Sequence, residues 1–272
     1  MKNLHVQGID IPQLGLGTFR MKGAECQAAV ETALELGYRH IDTGAMYGNE
    51  DAVGAALKAT NVPRKDLHIT TKVWHDQLAP DAIRRALDTS LGKLQLDSVE
   101  LYMVHWPSPT MDLGAVFDTM LQLRDEGFFK TIGVCNFTHK LIRQAVDELK
   151  APIAAHQFEY HVLLDQSRML DYLRSKGIAA IAHVPLAQGR LAQQPVLAEI
   201  GARHGASAAQ VAIAWLLEQP GVGTVPKAGR RESQQANLDA QNVKLDDADR
   251  QAIAALPKDQ RCVNPPHAPA WD

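Results

Sequence analysis

The chain has 272 residues, long enough to bury a large core and to form one barrel-sized unit. Its 28 basic and 31 acidic residues give a formal charge of -3, which excludes a broad basic footprint for nucleic acid or an anionic membrane and leaves room for a local basic pocket. Three cysteines, Cys26, Cys135 and Cys262, lie far apart without CxxC spacing. They suit reduced thiols of an intracellular protein, not a disulfide frame or a zinc site.

The first residues, MKNLHVQGID, lack the apolar segment of a secretory signal. No apolar run approaches the roughly 20 residues of a membrane span, so the expectation is a soluble, cytoplasmic protein. LHVQGIDIP alternates around Gly8 and predicts a short β-hairpin. From there apolar runs of four to six residues alternate with amphipathic stretches. In the first amphipathic stretch Cys26, Ala29, Val30, Ala33 and Leu34 share a face, and Gly37 stops it. A later stretch places Ile83, Ala86, Leu87, Ser90, Leu91 and Leu94 together after Pro80 and Asp81. Further helices are predicted over 112–126, 138–148, 165–176, 195–204, 207–218, 231–239 and 246–256.

Strands are predicted at 14–17, 38–41, 68–71, 99–104, 131–135, 153–156, 178–182 and 223–226. Several are apolar on both faces, as parallel strands covered by helices must be. Eight strands alternating with helices predict a (β/α)8 TIM barrel with an N-terminal β-hairpin closing its bottom. The helices at 195–204 and 246–256 are extra to that plan. No linker or compositional break divides residues 1–272, so a single domain is expected. A dinucleotide-binding open sheet fits poorly, because GLGTFR supplies G-x-G without a third glycine or a clear acidic ribose ligand downstream.

Each predicted strand hands over to a polar residue at its carboxyl end: Thr18, Asp42, Lys72, His105, Asn136, Gln157, His183 and Lys227. In a barrel these converge on the face that carries active sites. Asp42, Tyr47, Lys72 and His105 also make chemical sense as a set. A free tyrosine titrates near about 10, too high for an effective donor at neutral pH. A lysine ammonium beside it favours the phenolate and is expected to lower that value. Asp42 would keep the lysine charged, and His105 would orient a carbonyl oxygen. No nucleophilic side chain stands out, so the set describes a general acid over a carbonyl that receives hydride from a cofactor. In VPKAGRRESQQAN (225–237), Lys227, Arg230 and Arg231 gather positive charge before a helix N-terminus, a combination suited to phosphate. Two other readings stay open: a barrel aldolase using Lys72 as a Schiff-base amine, and a nucleotide-holding barrel with little turnover. His156, Glu159 and His161 imitate a metal site, but on one strand His156 and His161 would face opposite ways. No metal is expected.

DTGAMYGNE (42–50), TKVW (71–74), HWPSP (105–109), GVCNF (133–137), HQFEY (156–160) and VPKAGRRESQQAN resemble, in order, the motif series of the aldo-keto reductases. The tail APAWD and short loops resemble the family's bacterial diketogluconate-reducing branch. The resemblance implies NADPH-dependent reduction of aldehydes and ketones on a (β/α)8 barrel, with Tyr47 as proton donor and Asp42, Lys72 and His105 completing a tetrad. It places Gly17, Thr18 and Asp42 beside the cofactor, Asn136 and Gln157 on the nicotinamide carboxamide, and His183 where an aromatic ring usually stacks. Lys227, with Arg230 and Arg231, falls near the 2′-phosphate and Asn237 near the adenine. Phe19, Trp74, His105, Trp106 and Trp271 fall around the substrate. A small polar carbonyl such as a diketo sugar acid or methylglyoxal, and a monomer without nucleic-acid or membrane partners, are the corresponding expectations. Three positions depart from the pattern: Cys135 for serine, His183 for an aromatic, and Ser233 for an arginine.

Overall fold

The computed structural model describes residues 2–272. Period-two alternation builds its centre. The strands β3 (Leu16–Gly17), β4 (His40–Asp42), β5 (His68–Val73) and β6 (Val99–Val104) pair in parallel in chain order. They continue into β7 (Phe129–Cys135), β8 (Ile153–Glu159), β9 (Ala179–His183) and β10 (Val222–Thr224). Parallel bridges Leu14–Thr224 and Gly17–Lys227 join the first strand to the last, so the sheet curls on itself as the predicted (β/α)8 barrel. Glycine makes this seam close. A Cβ on Gly15 would lie 2.7 Å from the His40 ring, and one on Gly17 would lie 2.4 Å from the Val225 carbonyl. The G-x-G pair therefore serves strand contact.

Alternate strand residues face opposite ways. Ile41, Ile69, Val73, Tyr102, Val104, Ile132 and Val134 belong to the large cluster between sheet and helices. Leu101, Met103, Cys135, Ala155, Ala179 and Ile181 form a separate cluster inside the barrel. The antiparallel hairpin β1 (Asn3–Val6) and β2 (Ile9–Pro12) turns at Gln7 and Gly8, both with positive φ. Its Ile11 is fully buried in the interior cluster, with Leu4, Val6 and Ile9 packed against it. The bottom is thus plugged by the hairpin.

Helices α1 (Gly23–Leu36), α2 (Glu50–Ala59), α3 (Pro80–Leu94) and α4 (Leu113–Asp125) cover the outside of the first half. The predicted helix over 138–148 is split into α5 (His139–Arg143) and a wider π-type turn over Gln144–Glu148. Apolar periodicity cannot tell an i−4 from an i−5 bond, so the sequence missed this. The second half carries α6 (Ser167–Lys176), α8 (Ala208–Glu218) and α9 (Arg231–Asp239). The two extra helices, α7 (Pro195–His204) and α10 (Asp247–Ala254), are tied together through Asp249, which bonds Arg203 and His204. No helix is long and apolar enough to cross a membrane among the described residues.

Candidate active site

On four of the strands the inward phase ends on a polar residue at the carboxyl end of the barrel. After Thr70 comes Lys72; after Met103 comes His105; after Ala155 comes Gln157; after Ile181 comes His183. The result is one cluster. Lys72 Nζ donates to Asp42 Oδ1 at 2.6 Å, to the Thr43 carbonyl at 2.7 Å and to Tyr47 Oη at 3.2 Å. Its side chain is 0% exposed, and that of Asp42 3%. The second carboxylate oxygen, Asp42 Oδ2, accepts from Gln157 Nε2 at 2.8 Å. The His105 ring lies edge-on to Tyr47, centroids 5.4 Å apart.

The stretch 40–50 explains how Tyr47 is held. Gly48 takes a left-handed φ of 60° and ends a single 3₁₀ turn over Ala45–Tyr47. Lys22 Nζ caps the Tyr47 carbonyl. Thr43 donates to Asn49 Oδ1 at 3.0 Å, and Asn49 donates to the Thr18 and Met21 carbonyls. Thr43 and Asn49 had no expected role from sequence; they staple the loop so that Tyr47 stays over Lys72.

Charge follows from this packing. Lys72 offers only donors, so the Tyr47 oxygen accepts and its own hydrogen is free to point away from the lysine. Burial pushes the Lys72 ammonium down, but Asp42, Tyr47 and Cys135 outweigh it and the net shift is upward. The expected lowering of Tyr47 is not what the structure gives. Burial pushes this phenol up to about 12, outweighing the Lys72 ammonium, with Asp42 adding to the rise. Tyr47 is thereby held as a neutral phenol that keeps its hydrogen. Burial, and then Lys72, hold His105 well below its ordinary value, so the imidazole is neutral.

The other predicted residues fall on the same face. Thr18 donates to the Asp42 carbonyl at 3.1 Å and is fully buried. Asn136, at a positive φ of 58°, donates from Nδ2 to the His105 carbonyl at 3.0 Å. That fixes its amide, so Oδ1 faces His183 Nε2 at 2.8 Å and the imidazole must donate there. Cys135 points into the barrel toward Met103 Sδ, 3.7 Å away. Lys227 and Arg230 are exposed and make no ion pair among the described residues, just before α9. Arg231 differs from the expected trio, because it is drawn to Glu35 at 2.9 Å. Asn237 is buried beside Tyr38. Two unpaired cations at a helix N-terminus fit a nucleotide phosphate, and the Gln157 and Asn136 amides offer donors and acceptors that fit a carboxamide.

Phe19 is 42% exposed, its ring 5.1 Å from Tyr47. Trp74 lies 5.0 Å from His105. Trp106 contacts Trp271 at 6.1 Å between centroids. Sequence reasoning missed His267, which lies 5.2 Å from Trp74 and 5.1 Å from Trp106 and stacks on His75 at 4.5 Å. No motif or periodicity marks it. Glu159, His161 and Cys262 also converge within 4.8 Å. His161 Nδ1 accepts from the Leu163 N–H at 3.3 Å, so its hydrogen sits on Nε2 and is directed at Glu159 Oε1, 2.9 Å away. That tautomer is the opposite of a metal-ligating Nε2, whose other nitrogen would donate.

Residues 13–258 match the model of the aldo/keto reductase family. The methylglyoxal reductase DkgB of Escherichia coli O157:H7 is 41% identical over 266 residues, covering 96% of this chain and 99% of that protein. The glyoxal reductase of Bacillus subtilis (strain 168) is 36% identical over 255 residues, covering 93% and 92%. A crystal structure of a protein provisionally assigned as a 2,5-diketo-D-gluconic acid reductase B superposes with a TM-score of 0.96 at 38% identity, covering 100% of this chain and 98% of that one. The chain belongs to the aldo/keto reductase family of oxidoreductases.

Proposed function

We propose that the protein reduces small polar aldehydes and ketones with NADPH, with methylglyoxal-like oxoaldehydes and diketo sugar acids as its substrate class. One observation carries this reading: a fully buried Lys72 ammonium bridges Asp42 and the Tyr47 hydroxyl beside a neutral His105. The names of relatives at 41% and 36% identity, a methylglyoxal reductase and a glyoxal reductase, support the oxoaldehyde part of the substrate class.

When bound, the cofactor supplies hydride to the carbonyl carbon. Lys227 and Arg230 would hold its 2′-phosphate, and Gln157 and Asn136 its carboxamide. Gln157 gives one of its two Nε2 hydrogens to Asp42, which fixes its amide and leaves its Oε1 to accept an amide hydrogen. The neutral His105 donates to the substrate oxygen and aims it at Tyr47. As charge develops on that oxygen, Tyr47 transfers its proton, and the adjacent Lys72 ammonium stabilises the phenolate left behind. Asp42 keeps Lys72 charged through the step. The same bonds argue against Lys72 as a Schiff-base amine, since that role needs a neutral lysine with a free lone pair.

The test follows NADPH absorbance with methylglyoxal and 2,5-diketogluconate, for the wild type and Tyr47→Phe. The expected outcome is wild-type turnover, with the variant binding NADPH normally and losing turnover by about a thousandfold or more. Full activity in Tyr47→Phe would remove the assigned donor. Bound NADPH with no turnover on any carbonyl would favour a binding role.

A further inference from the structure

The segment after α10 is held to the barrel mouth at both ends. Near its start, the buried Glu159 at the end of β8 accepts from the backbone N–H groups of Cys262 at 2.6 Å and Val263 at 2.8 Å. At its end, the Asp272 carboxylate accepts from the N–H groups of His139 at 2.6 Å and Lys140 at 2.8 Å. These are the first two free donors of α5, and Thr138 takes the third, from Leu141. The first anchor ends β8 two residues after Gln157, and the second opens α5 three residues after Asn136. Between them the chain closes on itself. The Arg261 guanidinium sits 3.8 Å over the Trp271 ring, and Trp271 Nε1 donates to Asn264 Oδ1 at 3.0 Å. The result is a small Ω-like loop with His267 at its tip, among Trp74, His75 and Trp106.

We infer that Asp272 and Glu159 are positioning residues that seat His267 and Trp271 as a wall of the substrate pocket, and so set how tightly small carbonyls bind. The inference rests on the carbonyl-reductase reading and specifies its substrate side. Packing alone does not hold the wall. A cavity of about 200 Å³ borders Trp271; Phe137, Phe158, Gln166 and Asp272 are among its lining, and Trp74, Trp106 and His267 are not. With space behind it, the wall depends on the two polar anchors. A wall seated against Trp74 and Trp106 narrows the space beside His105, which favours substrates of a few carbons over bulky aromatic aldehydes.

Asp272 is exposed, so substituting it leaves the core intact. The experiment compares wild type, Asp272→Ala and Asp272→Glu in the full chain. Hydrogen exchange of the 261–271 amides reads the latch without reference to catalysis. Steady-state kinetics with NADPH read its consequence, using methylglyoxal and benzaldehyde. In Asp272→Ala, exchange in 261–271 is expected to rise. KM for methylglyoxal should rise about tenfold, the worth of roughly one charge-assisted hydrogen bond, with kcat within about twofold and NADPH affinity unchanged. Benzaldehyde should lose less, so the preference for methylglyoxal narrows, and Asp272→Glu should recover part of both effects. Unchanged exchange in Asp272→Ala would overturn the latch. Faster exchange with unchanged KM would overturn its positioning role. A wild type that turns over neither aldehyde would instead sink the reductase reading, while the exchange arm still judges the latch.

Discussion

At the scale of single residues, the site is governed by where charge is buried. Lys72 and Asp42 have almost no exposure and are each other's only ionic partner among the described residues. Two such charges are tolerated because every donor and acceptor is used: three bonds from Lys72, and Gln157 on the second Asp42 oxygen. Removing one partner strands the other. Asp42→Asn is therefore expected to lower stability by about 3 kcal/mol, measured by urea unfolding of the cofactor-free protein. A loss below about 1 kcal/mol would mean water reaches Lys72 more easily than its burial implies. The residues of this cluster were legible in sequence because each ends an apolar run or sits in the DTGAMYGNE loop. The direction of the Tyr47 shift was not. It depends on how completely the loop is covered, and burial outweighs the neighbouring ammonium.

At the scale of elements, close approach of helices and strands decides which substitutions are tolerated. Gly54 in α2 and Gly92 in α3 look equivalent by propensity, since alanine is favoured over glycine inside a helix by about 1 kcal/mol. Their surroundings differ. A Cβ on Gly54 would lie 2.4 Å from the Lys93 carbonyl, while one on Gly92 meets nothing within 4 Å. Gly92→Ala is expected to stabilise by about 0.5–1 kcal/mol, and Gly54→Ala to destabilise by about 1–3 kcal/mol because backbone must move. Thermal midpoints should shift in opposite directions; a rise in both would mean α2 can slide away from α3. The segment before α9 offers a second test. Lys227 and Arg230 stay unpaired there while Arg231 engages Glu35. Neutralising Lys227 and Arg230 together is expected to weaken NADPH on the order of a hundredfold and NADH little, read by fluorescence titration. Equal losses would place the 2′-phosphate elsewhere.

At the scale of the whole molecule, the barrel encloses several histidines as neutral rings. His40, His68, His105 and His156 are all buried. Burial is the leading cause that holds each below its ordinary value, His156 as low as about 3. The unfolded chain takes up protons near about pH 6.5, whereas the folded chain resists until lower pH. Stability from these groups is complete above about 6.5 and is lost as pH falls toward the folded values. Each histidine contributes a slope of about 1.4 kcal/mol per pH unit in that window. Urea midpoints are expected to fall steeply from pH 7 to pH 5. A flat profile would mean that the histidines find proton-accepting partners in the acid form.

By itself the sequence determined the strand-and-helix alternation, the hairpin plug and the polar residue closing each strand. All of these rest on local periodicity and on turns of a few residues. Strand limits were less legible at the seam, where β3 and β10 shrink to two and three residues because glycine lets neighbouring backbone crowd them. Only the tertiary structure decided what contacts residues far apart make. Glu159 grips backbone about a hundred residues away, and Asp272 caps α5 across 132 and 133 residues. His183 takes its tautomer from Asn136, 47 residues earlier. A hydrogen bond to a backbone N–H leaves no mark on the identity of the residue that donates it. Such partners become visible only when the barrel brings the strand ends together.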